Sequence, residues 1–158
     1  MTNVFIGAPT GIGKTICTEF SLLRLWSKSD APCAVCIEPY QDVVDQRVSE
    51  WRKKFGNLQG REEIVGLTGV TSADLRILEK GARVFVHPWD ILSRRWKQRK
   101  HVQNIGLLIA DEVQLIGGGE IGPTCEVVIS DALRVCANRD QDSYRCVWRF
   151  FGQRSRLR

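Results

Sequence analysis

The sequence Ala8-Pro9-Thr10-Gly11-Ile12-Gly13-Lys14-Thr15 follows a short apolar run and precedes a segment with helical periodicity. A strand, a glycine-bearing loop and a helix start aim backbone N–H groups and the positive end of the helix dipole at one point, which favours an anion there. Gly11 and Gly13 let the backbone approach phosphate oxygens because they lack a Cβ. Lys14 would reach the β- and γ-phosphates of a nucleotide, and the Thr15 hydroxyl would ligate Mg²⁺. The stretch is therefore predicted to form a phosphate-binding loop.

A second candidate site, Asp111-Glu112-Val113-Gln114, directly follows an apolar run downstream of this loop. Asp111 would hold Mg²⁺ through its hydration shell, because Mg²⁺ keeps several waters and binds through one or two carboxylates. Glu112 would orient and deprotonate the attacking water. Lys14 and Glu112 are thus the predicted catalytic residues, and Thr15 and Asp111 are the predicted metal ligands.

The composition is that of a globular protein with one main domain. The 158 residues are 43% hydrophobic and 26% charged, which is ordinary for such a domain. No apolar run approaches the ~20 residues needed to cross a bilayer, and no leader pattern precedes the first strand. We therefore expect an intracellular protein with no membrane partner, in which the six cysteines are reduced.

Strand-like and helix-like segments alternate along the chain, which predicts an α/β fold with a mostly parallel sheet flanked by helices. Apolar side chains recur at helical spacing in two segments, over 14–26 (Ile16, Phe20, Leu23, Trp26) and over 41–55 (Val44, Val48, Trp51, Phe55). Further helices are predicted at 72–80, 89–100 and 124–138. Strands are predicted at 4–6, 33–37, 63–67, 83–86, 106–110 and 145–151.

These motifs resemble those of a known family. Ala8 to Thr15 and Asp111 to Gln114 resemble motifs I and II of DExH-box helicases, and Thr68 to Leu75 resembles a Thr-Gly-Glu-Thr-Ser-x-Asp-Leu stretch of Ski-two-like helicases. Trp89 to Lys100 is similar to the segment before motif II in spliceosomal members of that group. The similarity covers about residues 3–130 and implies a RecA-like P-loop NTPase domain, the first such domain of a helicase cassette.

The resemblance also implies a ligand, partners and a location. It implies ATP with Mg²⁺ as the ligand, and it implies an ATP-dependent RNA helicase that acts in pre-mRNA splicing. The implied partners are RNA and other spliceosomal proteins, with no DNA expected, and the implied location is the nucleus. In an intact enzyme, arginines of a second RecA-like domain would complete the hydrolytic site, so this chain alone is expected to hydrolyse ATP very slowly.

Two departures from the family pattern leave an alternative open. Gln114 stands where motif II of the family has His, and His87 stands where the family has a Thr that would touch the RNA backbone. The second cassettes of spliceosomal members resemble degenerate ATPases that bind nucleotide and turn over little or none. The alternative prediction is a nucleotide-binding regulatory module that contacts other proteins and is catalytically weak or inactive.

The charge is distributed unevenly between two segments. The net charge is +5, of which residues 131–158 contribute +4 from seven Arg and three Asp, whereas residues 1–130 contribute only +1. Global charge therefore says little about the body of the domain. We predict a partial RecA-like ATP-binding domain at 1–130 and a divergent basic tail at 131–158 that does not fit the family.

Three further features each have a functional and a structural interpretation. The basic residues within 94–101 would contact RNA phosphates or an acidic protein, or would form a solvated helix face. The stretch Pro39-Tyr40-Gln41, followed by Gln46 and Arg47, loosely resembles motif Ia and would contact the RNA backbone. Cys33 and Cys36 form a lone Cys-x-x-Cys, for which buried thiols are favoured because zinc would need two more ligands.

Overall fold

The computed structural model describes residues 4–7, 13–27, 33–58, 64–68, 73–74, 76, 84–88, 105–137 and 145–150. The strands are β1 (Val4–Gly7), β2 (Cys33–Glu38), β3 (Ile64–Gly66), β4 (Val84–Pro88), β5 (Ile105–Ala110) and β6 (Arg145–Phe150). The helices are α1 (Lys14–Trp26), α2 (Gln41–Lys54) and α3 (Gly122–Ala137), and a 3₁₀ helix spans Val113–Gly117. None of the helices in these ranges is long and apolar enough to cross a membrane.

The described strands form one sheet in the order β1-β6-β5-β2-β4-β3, and every neighbouring pair is parallel. Successive residues of β2, from Ala34 to Ile37, are all buried although their side chains alternate between the two faces. Both faces of the central strands are therefore covered, which explains why β2 and β5 are almost continuously apolar. This arrangement confirms the predicted α/β fold with a parallel sheet.

Helix α1 has the predicted length, but three of the four apolar side chains that indicated it are exposed, and only Trp26 packs against the core. Ile16, Phe20 and Leu23 are exposed, with Phe20 67% accessible. The buried side carries Thr18, Glu19, Leu22 and Leu25 instead. Two leucines suffice to seat the helix on the sheet, because they pack into the core beside Leu107 and Ile109 of β5.

Helix α2 buries the stripe that the sequence predicts. Val44, Val48, Trp51 and Phe55 all lie in the core cluster that also holds the inward side chains of α1. The two helices contact each other directly, because the Trp26 and Phe55 rings meet edge to face with centroids 5.2 Å apart. Lys54 of α2 also pairs with the buried carboxylate of Glu19 on α1. Helices α1 and α2 therefore cover the same face of the sheet.

The C-terminal part of the described chain completes the sheet. Helix α3 runs without a break across residue 130, and β6 inserts between β1 and β5. The division into 1–130 and 131–158 stays a prediction, although the backbone of 145–150 pairs on both edges with strands of the first segment. Of the predicted helix at 72–80, residues 73, 74 and 76 are helical, and the helix predicted at 89–100 lies outside the described ranges.

Candidate nucleotide site at the carboxyl edge of the sheet

The sheet register brings the ends of the two candidate motifs to one edge. Phe5 of β1 pairs with Trp148 of β6, and Trp148 pairs in turn with Ala110 of β5. Gly7, which ends β1, therefore lies at the same edge as Asp111, which follows β5. Two strand spacings separate β1 from β5, or about 10 Å. The carboxyl edge of a parallel sheet is where ligands of such folds bind.

The start of α1 carries the described part of the phosphate-binding motif. Gly13 precedes the helix with φ 83°, a left-handed conformation that glycine adopts without strain. Its carbonyl oxygen accepts the first helical hydrogen bond from the Ile16 N–H at 2.9 Å. Lys14 is buried at the first helical position, and Thr15 is half-buried beside it. Ala8, Pro9, Thr10, Gly11 and Ile12 lie outside the described ranges.

Asp111 is held rigidly where β5 ends. Its backbone N–H donates to the Ile37 carbonyl oxygen of β2 at 3.0 Å, and its Oδ1 accepts from the Glu112 N–H at 2.9 Å. The side chain is only 4% exposed. A buried carboxylate needs compensating partners, so the polar groups around Asp111 determine what a metal ion would meet there.

Glu112 adopts an unusual backbone conformation for its type. Its φ is 54°, and it is the single non-glycine residue with positive φ in the part of the chain that the structure describes. Such strain persists where surrounding structure imposes it, and it is concentrated at functional sites. The Gln114 side-chain amide donates to Glu112 Oε2, and the Glu112 carbonyl oxygen accepts from the Leu115 N–H at 3.0 Å. The 3₁₀ turn thus places the side chain of Gln114, the residue that departs from the family motif, against the carboxylate of Glu112, the candidate base.

Sequence reasoning missed an ion-pair cluster beside Asp111. Arg47 of α2 places Nε 3.3 Å from Glu38 Oε1 and Nη2 3.5 Å from Asp111 Oδ2. Burial by itself lowers the pKa of the Arg47 guanidinium, but the charges of Glu38 and Asp111 outweigh it and raise that pKa. Arg47 therefore faces the carboxyl edge of the sheet. The RNA-backbone contact expected from the motif Ia resemblance at Pro39-Tyr40-Gln41 stays a prediction. The signal in the sequence was Glu38, a lone acid at the end of an apolar strand.

Thr68, which follows β3, is hydrogen-bonded to a buried carboxylate. Asp74 is buried, and its Oδ1 accepts from the Thr68 N–H at 2.9 Å and from the Thr68 hydroxyl at 3.1 Å.

His87 is also buried, at the end of β4, with Nδ1 2.5 Å from the Pro88 carbonyl oxygen. The basic residues within 94–101 and the similar segment Trp89 to Lys100 lie outside the described ranges.

The four cysteines in the described ranges are free thiols that differ in burial. Cys33 is half-buried, Cys36 and Cys125 are buried, and Cys17 is exposed, and none of these four forms a disulfide. Within the described ranges, no group of three His, Cys, Asp or Glu side chains is arranged to hold a metal ion by itself.

The geometry of the sheet and of its carboxyl edge defines a class of domain. A parallel sheet has a glycine-lysine-threonine helix start and an aspartate-glutamate pair at the same carboxyl edge. That combination is the architecture of a RecA-like P-loop domain.

Three comparisons agree with this architecture. The family model for DEAD/DEAH box helicases matches residues 1–147, and this chain belongs to that family. The human U5 small nuclear ribonucleoprotein 200 kDa helicase is 52% identical over 130 residues, which are 81% of this chain and 6% of that protein. Pre-mRNA-splicing factor brr2 of Schizosaccharomyces pombe is 45% identical over 130 residues, with the same two shares covered.

A solved structure confirms the fold. The Hef helicase domain of Pyrococcus furiosus superposes with a TM-score of 0.70 and 22% sequence identity, covering 96% of this chain and 30% of that chain. The chain thus spans a small part of the length of the proteins it matches. Membership of the helicase family implies use of ATP.

Proposed function

We propose that this chain binds ATP with Mg²⁺ at the carboxyl edge of its sheet. The loop from Ala8 to Gly13 would surround the phosphates, and Lys14 would place its ammonium against the β- and γ-phosphates. Thr15 and Asp111 would hold Mg²⁺, which supplies charge neutralisation to the phosphates when bound. The observation that carries the proposal is the register Phe5–Trp148–Ala110, since it brings the ends of β1 and β5 to one edge.

The residues present suit this ligand. One hydroxyl and one carboxylate are a small protein contribution, but Mg²⁺ takes its other ligands from phosphates and waters. Lys14 is buried at a helix N-terminus, where its charge is little screened and an anionic partner is favoured. Glu112 would orient the attacking water and accept its proton. Its backbone N–H donates to Asp111 Oδ1 at 2.9 Å, so the predicted base directly adjoins the predicted metal ligand.

At the level of the whole protein, we propose an ATP-dependent RNA helicase that acts in pre-mRNA splicing. The support is the printed names of the relatives, among them an ATP-dependent RNA helicase of Arabidopsis thaliana that is 47% identical over 132 residues. The partners would be RNA and other spliceosomal proteins, and the location would be the nucleus. Phosphoryl transfer needs charge stabilisation from several sides, so this chain alone should hydrolyse ATP very slowly.

One observation favours a second candidate, a nucleotide-binding regulatory module. Gln114 donates to Glu112 Oε2, one of the two carboxylate oxygens that could accept the proton of the attacking water. An amide held there reduces the freedom of that carboxylate to accept a proton. The chain would then bind ATP and contact other proteins while turnover stays negligible even in the complete protein.

A titration tests the nucleotide site first. The 158-residue chain is titrated with a fluorescent ATP analogue, with and without Mg²⁺, and phosphate release is followed in parallel with and without RNA. Saturable binding that tightens with Mg²⁺ is expected, and its absence would overturn the proposal. Release that rises with RNA would favour the helicase, whereas binding without release would also fit the module. In that case phosphate release by Gln114→His is compared with that of the unaltered chain, because release should increase only if Gln114 limits turnover.

A further inference from the structure

Two buried carboxylates stand side by side at the candidate site, and one guanidinium joins them. Ile37 of β2 pairs with Ala110 of β5, so the next residues, Glu38 and Asp111, lie opposite each other at the ends of neighbouring strands. Alternation places both side chains on the sheet face that α1 and α2 cover. Their side chains are 1% and 4% exposed, and that of Arg47 is 13% exposed.

The Asp111 carboxylate is already engaged at both oxygens. Oδ1 accepts from the Glu112 N–H, and Oδ2 lies 3.5 Å from Arg47 Nη2. A divalent cation that uses Asp111 must therefore share it with a positive charge held close by. Like charges separated by a few ångströms repel strongly where water is scarce. A group that stabilises the metal-free carboxylate weakens metal binding to it by the same free energy of coupling, because linkage is reciprocal.

The Arg47 guanidinium also has anionic partners other than Asp111. Glu38 holds Nε at 3.3 Å, and Glu50 lies 3.7 Å from Nη1. The guanidinium also lies 5.8 Å from the centre of the Trp51 ring. Loss of the Asp111 contact therefore leaves Arg47 paired, so the metal can displace it from Asp111 without leaving an isolated buried cation.

We propose that Arg47 competes with Mg²⁺ for Asp111 and thereby sets the Mg²⁺ concentration that nucleotide binding requires. This inference rests on the proposed nucleotide site. Arg47 acts through Asp111, so it is a positioning residue rather than a catalytic one. The regulated quantity is the metal requirement, and binding of the nucleotide without metal is not affected.

The test removes both charges of the buried pair. Arg47→Gln alone would leave two buried carboxylates, Glu38 and Asp111, without their cation, which is strongly destabilising. Glu38→Gln is therefore combined with Arg47→Gln, so that the net charge stays the same and Asp111 keeps the Glu112 N–H donor. The matched control is Asp131→Asn with Arg134→Gln, which removes an exposed ion pair of α3. Thermal melting followed by circular dichroism verifies that each variant is folded. The measurement is the Mg²⁺ concentration that half-saturates binding of the fluorescent ATP analogue.

The buried double variant should need at least about fivefold less Mg²⁺, the lower end of typical coupling between sites. Its binding in EDTA should match that of the unaltered chain, and the α3 control should match in both conditions. An unchanged or increased Mg²⁺ requirement would overturn the role of Arg47 while leaving the nucleotide site in place. Failure of the unaltered chain to bind the analogue would refute the nucleotide site itself, and Arg47 would lose its proposed role with it.

A second variant covers the case in which the double variant does not fold. Arg47→Lys keeps the charge that Glu38 needs, but an ammonium has one donor centre and cannot span Glu38 and Asp111 as the guanidinium does. A smaller decrease in the Mg²⁺ requirement is expected. No decrease in this folded variant would refute the competition.

Discussion

The backbone N–H of Asp111 donates to the carbonyl oxygen of Ile37 at 3.0 Å. The ladder between β2 and β5 thus extends one residue beyond the end of β5. Asp111 is fixed by the sheet rather than by the loop that follows it, and the chain turns away only at Glu112, where φ becomes positive. The backbone of Asp111 therefore need not move when a ligand arrives, and the rearrangement that a metal ion requires there is the displacement of Arg47 from the carboxylate.

Lys14→Ala should strongly weaken nucleotide binding. The ammonium would make charge-assisted hydrogen bonds to phosphate, each worth roughly 1.5–3 kcal/mol, so affinity should fall by at least about tenfold. The fluorescent ATP analogue measures it directly. Lys53→Ala, which removes an exposed lysine of α2, serves as the control and should leave affinity unchanged. Equal affinities of the two variants would contradict the assignment of Lys14.

Leu22→Ala should destabilise the protein far more than Leu23→Ala. Leu22 is fully buried against the sheet, and removing its side chain from a packed core costs roughly 2–5 kcal/mol. The adjacent Leu23 faces outward, so its loss should change the free energy of unfolding by no more than about 0.5 kcal/mol. Urea denaturation of both variants provides the comparison. A reversed order would mean that α1 packs on its other face.

Asp74→Ala should destabilise the protein through the loss of its contact with Thr68. The buried carboxylate accepts from both the N–H and the hydroxyl of Thr68, and a hydrogen bond to a charged group is worth about 1.5–3 kcal/mol. The loss is measured as the free energy of unfolding in urea. Asp74→Asn keeps an acceptor oxygen and should lose less. Glu126→Ala on the exposed side of α3 is the control, and a loss as large as that of Asp74→Ala would argue against a specific anchor.

The Cys125 thiol should make the folded protein sensitive to alkaline pH. Burial raises the pKa of this thiol to about 12 from an ordinary value of 9.0. Between these values the unfolded chain loses the proton and the folded chain keeps it, so stability decreases as pH rises. Cys125→Ala should therefore show a shallower decrease in the free energy of unfolding between pH 9 and 11, measured in urea. Cys17→Ala, at an exposed thiol, should keep the original slope.

Thiol labelling gives an independent check on the same burial. At pH 8, with peptides identified by mass spectrometry, Cys17 should react rapidly and Cys125 only as the chain unfolds, because the thiolate is the reactive species. Simultaneous labelling of both residues in the folded protein would contradict the buried position of Cys125.

Local patterns were sufficient for most of the fold. The alternation of apolar runs with helical segments predicted the parallel sheet, and the stripe through Val44, Val48 and Trp51 predicted which side of α2 is buried. The same periodicity would have predicted the wrong buried side for α1, since Ile16, Phe20 and Leu23 are exposed. Periodicity identifies a helix, but the phase of burial depends on the surface against which the helix packs.

The sequence by itself determined the two candidate motifs and their order along the chain: a phosphate-binding pattern, then an acidic pair at the end of an apolar strand. These follow from residue type and spacing, because backbone geometry and side-chain chemistry are local properties. Only the tertiary structure decided that Arg47 lies between Glu38 and Asp111, and that Gln114 contacts Glu112. Those contacts join α2 to two strand ends, or depend on a left-handed backbone at Glu112. Buried charge must be balanced by whatever the fold brings near it, and no spacing in the sequence specifies that partner.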